Sequence, residues 1–192
     1  MNVSAHSSSL PHQSSRFTWV VLTLIGLLAL AAGWYFRSGD VRNIPDPWGS
    51  GQTLLGVSLP DLNGKEQALA QWKGKVLIVN FWATWCVPCR EEMPEFVKLQ
   101  KEFGDRGVQF VGIAVDDPAK VKQFSTELGL NYPALIGGYG AVELSKSLGN
   151  SVGALPFTLV LDRAGSVSRT QLGPIKTTDL RDIIGHLLSK PS

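Results

Sequence analysis

Residues 76–83 (Val-Leu-Ile-Val-Asn-Phe-Trp-Ala) form a nearly continuous apolar run, and they restrict the folds open to this chain more than any other stretch. A strand that is apolar on both faces must be covered on both faces, as a central strand is when helices pack on either side of its sheet. The run ends just before Trp85-Cys86-Val87-Pro88-Cys89. From Cys86 to Phe103 the apolar residues Met93, Phe96, Val97, Leu99 and Phe103 recur at helix spacing.

The same alternation continues along the chain. Residues 54–59 read as a short strand, and Asn63-Gly64 signals a turn before a second short piece. Phe110–Val115 reads as another buried strand, followed by a helix over Pro118–Leu128 that Asp117-Pro118 opens. A strand at 134–136, a helix at 141–148, a hairpin of 157–162 with 166–172 across Arg163-Ala164-Gly165, and an amphipathic helix over 177–188 complete the pattern. Strands alternating with helices predict an α/β protein with a central mixed sheet flanked by helices.

Charge narrows the function classes. Of 18 Lys and Arg, Arg16 and Arg37 flank the first hydrophobic run, and the rest face 16 acids that all follow residue 37. The folded part is therefore neutral, which argues against nucleic acid as a partner. The two cysteines are too few for a disulfide-stapled scaffold. A structural metal site is not expected either: such sites want about four ligands, and the histidines are only His6, His12 and His186.

Residues 17–36 carry no charge and only Thr18 and Thr23 as polar side chains. Twenty residues at a helical rise of about 1.5 Å just cover a hydrocarbon core of about 30 Å. Trp19 lies near one end and Trp34-Tyr35 near the other, where interfacial aromatics belong. Ala29-Leu30-Ala31 also resembles a leader-cleavage pattern, but the apolar run continues through Phe36, which suits an anchor better. The expected organisation is a cytoplasmic tail at 1–16, a transmembrane anchor at 17–36, a linker at 37–52 and a globular domain at 53–192. On either reading of the apolar segment the domain is exported.

The chemistry centres on the two cysteines. With a buried strand ending near Ala83 and a helix opening at Cys86, the first sulfur lies at a helix N-terminus. Free N–H groups and the macrodipole there favour a negative charge, so Cys86 is expected to present a thiolate. Cys89 lies one turn on, on the same face, within reach of a disulfide. Pro88 fits the first turn, where its missing N–H costs nothing. A purely structural disulfide closing so small a ring would restrain the unfolded chain very little. A metal carrier, with the two sulfurs holding copper, would lack an obvious third ligand. A redox dithiol is the reading that remains.

Phe81-Trp82-Ala83-Thr84-Trp85-Cys86-Val87-Pro88-Cys89, with Pro94 beyond it and Leu155-Pro156-Phe157-Thr158 before a later strand, resembles the thioredoxin superfamily. The order of pieces is most similar to its membrane-anchored TlpA/ResA branch, and the likeness covers about residues 53–190. That resemblance implies a thioredoxin-like fold with N-terminal strands and an extra strand–helix unit, for which Phe110–Leu128 stands in place. It implies Cys86 as attacking nucleophile, Cys89 as resolving thiol, and Pro156 as a cis-proline beside them. Substrate would meet Trp85, Val87, Pro88, Leu155 and Pro156. Pro94 would kink the helix. Thioredoxins proper carry a buried Asp six residues before the first cysteine, where this chain has Asn80. The branch instead places a Glu three residues past the second cysteine, where Glu92 stands, one turn from Cys89 and near enough to influence proton movement, so that Glu92 or water would take up the resolving thiol's proton. Read without the resemblance, Glu91, Glu92 and Glu95 are also favourable acids early in a helix.

The resemblance further implies a protein-disulfide reductase on the outer face of the cytoplasmic membrane. Its substrates would be disulfide-containing exported proteins such as apocytochrome c, and a membrane electron-transfer protein would recharge it. A dithiol oxidant is the main rival. The reactants carry the electrons, so no bound cofactor is required.

Overall fold

The computed structural model describes residues 50–190, together with Leu22 and residues 24–26. The chain divides into two units, Met1–Ile44 and Pro45–Ser192, and the second carries the fold. The expected tail, nearly all of the expected anchor and most of the expected linker lie outside the described residues. Leu22 and residues 24–26 are helical, and among the described residues no helix is long and apolar enough to cross a membrane.

Five strands form the main sheet: β3 (Val76–Trp82), β4 (Val108–Ala114), β5 (Ala134–Ile136), β6 (Phe157–Leu161) and β7 (Val167–Leu172), in the order β5-β4-β3-β6-β7. β3 runs parallel to β4 and antiparallel to β6, so the sheet is mixed. Every residue of β3 is buried, as its nearly continuous apolar run predicts. Two shorter strands, β1 (Ser58–Pro60) and β2 (Glu66–Ala68), pair antiparallel in a sheet of their own.

Because side chains alternate along a strand, β3 feeds two cores. Leu77, Val79 and Phe81 join Val111, Ile113, Leu159 and Leu161 on one face, under Leu54, Leu55 and Leu148. Val76 and Ile78 join Phe110 and Val160 on the other, under Phe96, Leu99, Phe103, Leu180 and Ile184. Those last residues come from α2 (Val87–Phe103) and α5 (Thr177–Ser189). Asn80 and Trp82 share the α2 face by the same alternation. α2 buries Cys89, Glu92, Met93, Phe96, Leu99 and Phe103, a stripe at helical spacing. Pro94 lies inside it and the helix continues past.

Between α2 and β6 come two strand–helix units, β4 with α3 (Pro118–Leu128) and β5 with α4 (Gly140–Ser147). The first occupies the place expected for Phe110–Leu128.

One expected element takes a different form. Residues 54–59 do not form a strand: Ser50–Leu55 is a helix, α1, and only Ser58–Pro60 is extended. The helix thus begins inside the expected linker. Leu54 and Leu55 are both buried, and neighbouring side chains reach one core from a helix turn more readily than from a strand, where they would face opposite ways. α1 approaches the β6–β7 hairpin so closely that a Cβ on Gly51 would lie 2.2 Å from the Gly165 carbonyl oxygen. A backbone oxygen cannot rotate aside as a side chain can. Gly51→Ala is therefore expected to cost about 1–3 kcal/mol, as overpacking does, measured by urea unfolding of the oxidised chain. An unchanged midpoint would show that α1 docks without this contact.

Candidate redox site

The site stands where β3 gives way to α2. Cys86 is the N-cap of α2 in an extended backbone conformation, and Pro88 sits in the first turn. Cys86 and Cys89 form a disulfide with their Cα atoms 5.3 Å apart. The Cys89 backbone N–H also points at the Cys86 sulfur, 3.3 Å away. Once the disulfide opens, this N–H and the helix terminus behind it stabilise a thiolate on Cys86.

The loop before Cys86 is held by an acid outside the cysteine motif. Asp116, just past β4, accepts hydrogen bonds from the Thr84 hydroxyl and from the Thr84 N–H at 3.1 Å. Its other oxygen accepts from Asp117 N–H at 2.7 Å. Burial works to raise its proton affinity, but the Thr84 hydroxyl, the two N–H donors and Lys120 outweigh it and hold Asp116 below the usual carboxylate range. Asp117 opens α3 as expected, capping it by accepting from Ala119 N–H at 2.9 Å. Two adjacent acids thus have different tasks, and only the packing of β4 against β3 separates them.

Trp85 and Val87 are exposed on either side of the buried Cys86, and Pro88 is half-buried. Trp85 lines a groove with Asp116, Lys120 and the exposed Tyr139, a residue that sequence reasoning did not single out. The Leu155–Pro156 peptide bond is cis. Leu155 packs against the cluster that contains Trp82, Cys86, Cys89 and Met93, so the structure brings the late proline loop to the cysteines across some seventy residues of sequence. Among the described residues, no group of three or more His, Cys, Asp and Glu side chains is placed to hold a metal.

Glu92 is buried one turn beyond Cys89. One carboxylate oxygen accepts from the Asn80 amide at 3.0 Å. The other accepts from Ile175 N–H at 3.2 Å, in the loop before α5. Burial raises its pKa to about 7, partly countered by the Ile175 and Asn80 donors. A carboxyl group poised there exchanges a proton readily near neutrality. Burial sets Glu92 apart from its neighbours: it faces the sheet, whereas Glu91 is exposed and Glu95 half-buried. The sequence marks Asn80 only as the residue in place of the thioredoxin Asp. That it donates to Glu92, with Thr158 behind it and the Ile175 N–H opposite, is not visible in sequence spacing, because the three come from separate segments.

The family model described as Redoxin matches residues 49–186. The chain belongs to the redoxin family. Within the thioredoxin superfamily it is ResA-like. It is 32% identical over 163 residues to the thiol-disulfide oxidoreductase ResA of Geobacillus thermodenitrificans, covering 84% of this chain and 91% of that one. It is 34% identical over 167 residues to the thioredoxin-like protein YneN of Bacillus subtilis, covering 84% and 94%. A thioredoxin-family thiol:disulfide interchange protein from Chlorobium tepidum superposes with a TM-score of 0.63 at 35% identity, over 69% of this chain and 93% of that structure. Redoxin membership, these relatives and the helix-terminal cysteine pair together make this chain a thiol–disulfide oxidoreductase.

Proposed function

We propose that the protein reduces disulfides of exported proteins, apocytochrome c among them, from the outer face of the cytoplasmic membrane. The observation that carries this reading is the Cys86–Cys89 pair at the start of α2 with the buried carboxyl of Glu92 one turn behind it. In the reducing direction, the Cys86 thiolate attacks a substrate sulfur, forming a mixed disulfide and releasing one substrate thiolate, which takes a proton from water. Cys89 gives its proton to Glu92 and attacks the Cys86 sulfur. That step closes the Cys86–Cys89 disulfide and releases the second substrate thiol. Two electrons and two protons pass to the substrate overall, the second proton by way of Glu92 and solvent. Trp85, Val87 and Pro88 flank the attacking sulfur, and Leu155 with Pro156 offers backbone to an extended substrate strand.

The apolar segment 17–36 anchors the protein, and a membrane protein delivering electrons from the cytoplasm returns the pair to the dithiol. Leu22, Leu24 and Ile25 are helical and more than half exposed, which suits side chains in contact with lipid. The dithiol oxidant runs the same chemistry backwards, so direction is a matter of potential. The Cys86–Cys89 couple of the Pro45–Ser192 unit, equilibrated against thiol buffers, is expected near the −270 mV of reducing thioredoxins or below. A value near the −120 mV of strong oxidants would overturn the reductase reading.

A further inference from the structure

Asn80 occupies the point where three strands and the active-site helix meet. On β3 it lies opposite Gly112 of β4 on one side and Thr158 of β6 on the other. Its amide nitrogen has two hydrogens and uses both, donating to Glu92 at 3.0 Å and to the Thr158 hydroxyl at 3.0 Å. All three side chains are buried. The amide oxygen has no partner among the described residues, and leaving a buried acceptor unpaired costs about 1–3 kcal/mol. The amide is therefore oriented by what it donates to.

Gly112 makes the arrangement possible. A Cβ there would lie 2.7 Å from the Trp82 indole nitrogen, so the bare backbone leaves room for Trp82 beside Asn80. Thr158 stands in β6, two residues beyond the cis Leu155–Pro156 bond that leads into the strand. Asn80 thus ties the acid behind Cys89 to the segment that follows the proline loop.

We propose that Asn80 is a positioning residue, which aims the Glu92 carboxylate and links its proton affinity to the Pro156 segment through Thr158. This rests on the reading of Glu92 as the group that takes up the Cys89 proton. Both Glu92 oxygens accept N–H donors, one from Asn80 and one from Ile175. Removing the Asn80 donor destabilises the charged form, so Glu92 holds its proton to higher pH. The other groups around Glu92 do not substitute for this donor. Cys89 on α2 is in the disulfide, Thr158 on β6 is neutral, and Ile175 contributes backbone only. Tyr132 ahead of β5, whose proton burial already holds far above neutrality and the Glu92 charge holds further, does not ionise in this range.

The test is a carbon-13 NMR titration of the Glu92 carboxyl in the oxidised full chain, with the resonance assigned by its loss in Glu92→Gln. In Asn80→Ser, whose side chain is too short to reach Glu92, the midpoint is expected to rise by about one unit, a ~10-fold gain in proton affinity. Thr158→Val, which keeps the volume and removes the second anchor, is expected to move it a smaller step in the same direction. An unmoved midpoint in folded Asn80→Ser overturns the proposal, and if that variant does not fold, an unmoved midpoint in Thr158→Val does so. The pH profile of peptide-disulfide reduction separates this inference from the one beneath it. A shifted Glu92 midpoint with an unshifted profile upholds the positioning role and removes Glu92 from the proton path.

Discussion

Replacing Cys89 with serine is expected to turn the protein into a covalent trap. The Cys86 thiolate still attacks, but no second thiol is left to resolve the mixed disulfide, so substrate stays attached and accumulates on non-reducing gels. Cys86→Ser is expected to trap nothing and to lose peptide-disulfide reduction by roughly 10³-fold or more, the scale on which enzymes lose rate when the nucleophile is removed. The asymmetry has a structural source. Cys86 caps α2, where N–H groups converge and Trp85 and Val87 are exposed on either side. Cys89 lies fully buried within the helix, where burial favours the neutral thiol. Equal trapping by both variants would overturn the assignment of roles.

The second large effect is on stability. Folding raises the Glu92 pKa from 4.5 to about 7, so the native state holds this proton more tightly than the unfolded chain does. The contribution is present in full below pH 4.5 and is lost as pH rises towards 7. At about 1.4 kcal/mol per unit, the oxidised protein is expected to lose up to roughly 3 kcal/mol across that window. Glu92→Gln has no such charge to bury and is expected to remove that part of the slope. The absolute gain at pH 8 is smaller than the full figure, because the new amide group must face one of the two N–H donors that the carboxylate accepts. Urea unfolding of both proteins between pH 4.5 and 8, with the disulfide intact, measures the difference. Parallel stability curves would show that Glu92 is not held protonated by its burial.

Much of this is legible in the sequence. The central strand, the helix after the cysteines, α3 over Pro118–Leu128 and the hairpin across Gly165 all came from periodicity and turn chemistry, because each is long or sharply punctuated. The exception was α1. Six residues carry too little periodicity to separate a helix from a strand, and packing against the sheet and the hairpin turn decided it.

The site divides along the same line. Sequence by itself determined the chemistry: two sulfurs one helical turn apart at the end of a buried strand, and an acid one turn further on. These are local relations, and the backbone geometry of a helix enforces them within a few residues. Only the tertiary structure decided what surrounds that acid and how the approach to Cys86 is held. The Asn80 amide, the Thr158 hydroxyl and the Ile175 N–H reach one buried point from β3, β6 and the loop before α5. Asp116 likewise reaches Thr84 only because β4 pairs with β3. Proton affinity and loop position are set by groups distant in sequence, since burial and hydrogen bonding act through space, and it is the folding of the sheet that creates their proximity.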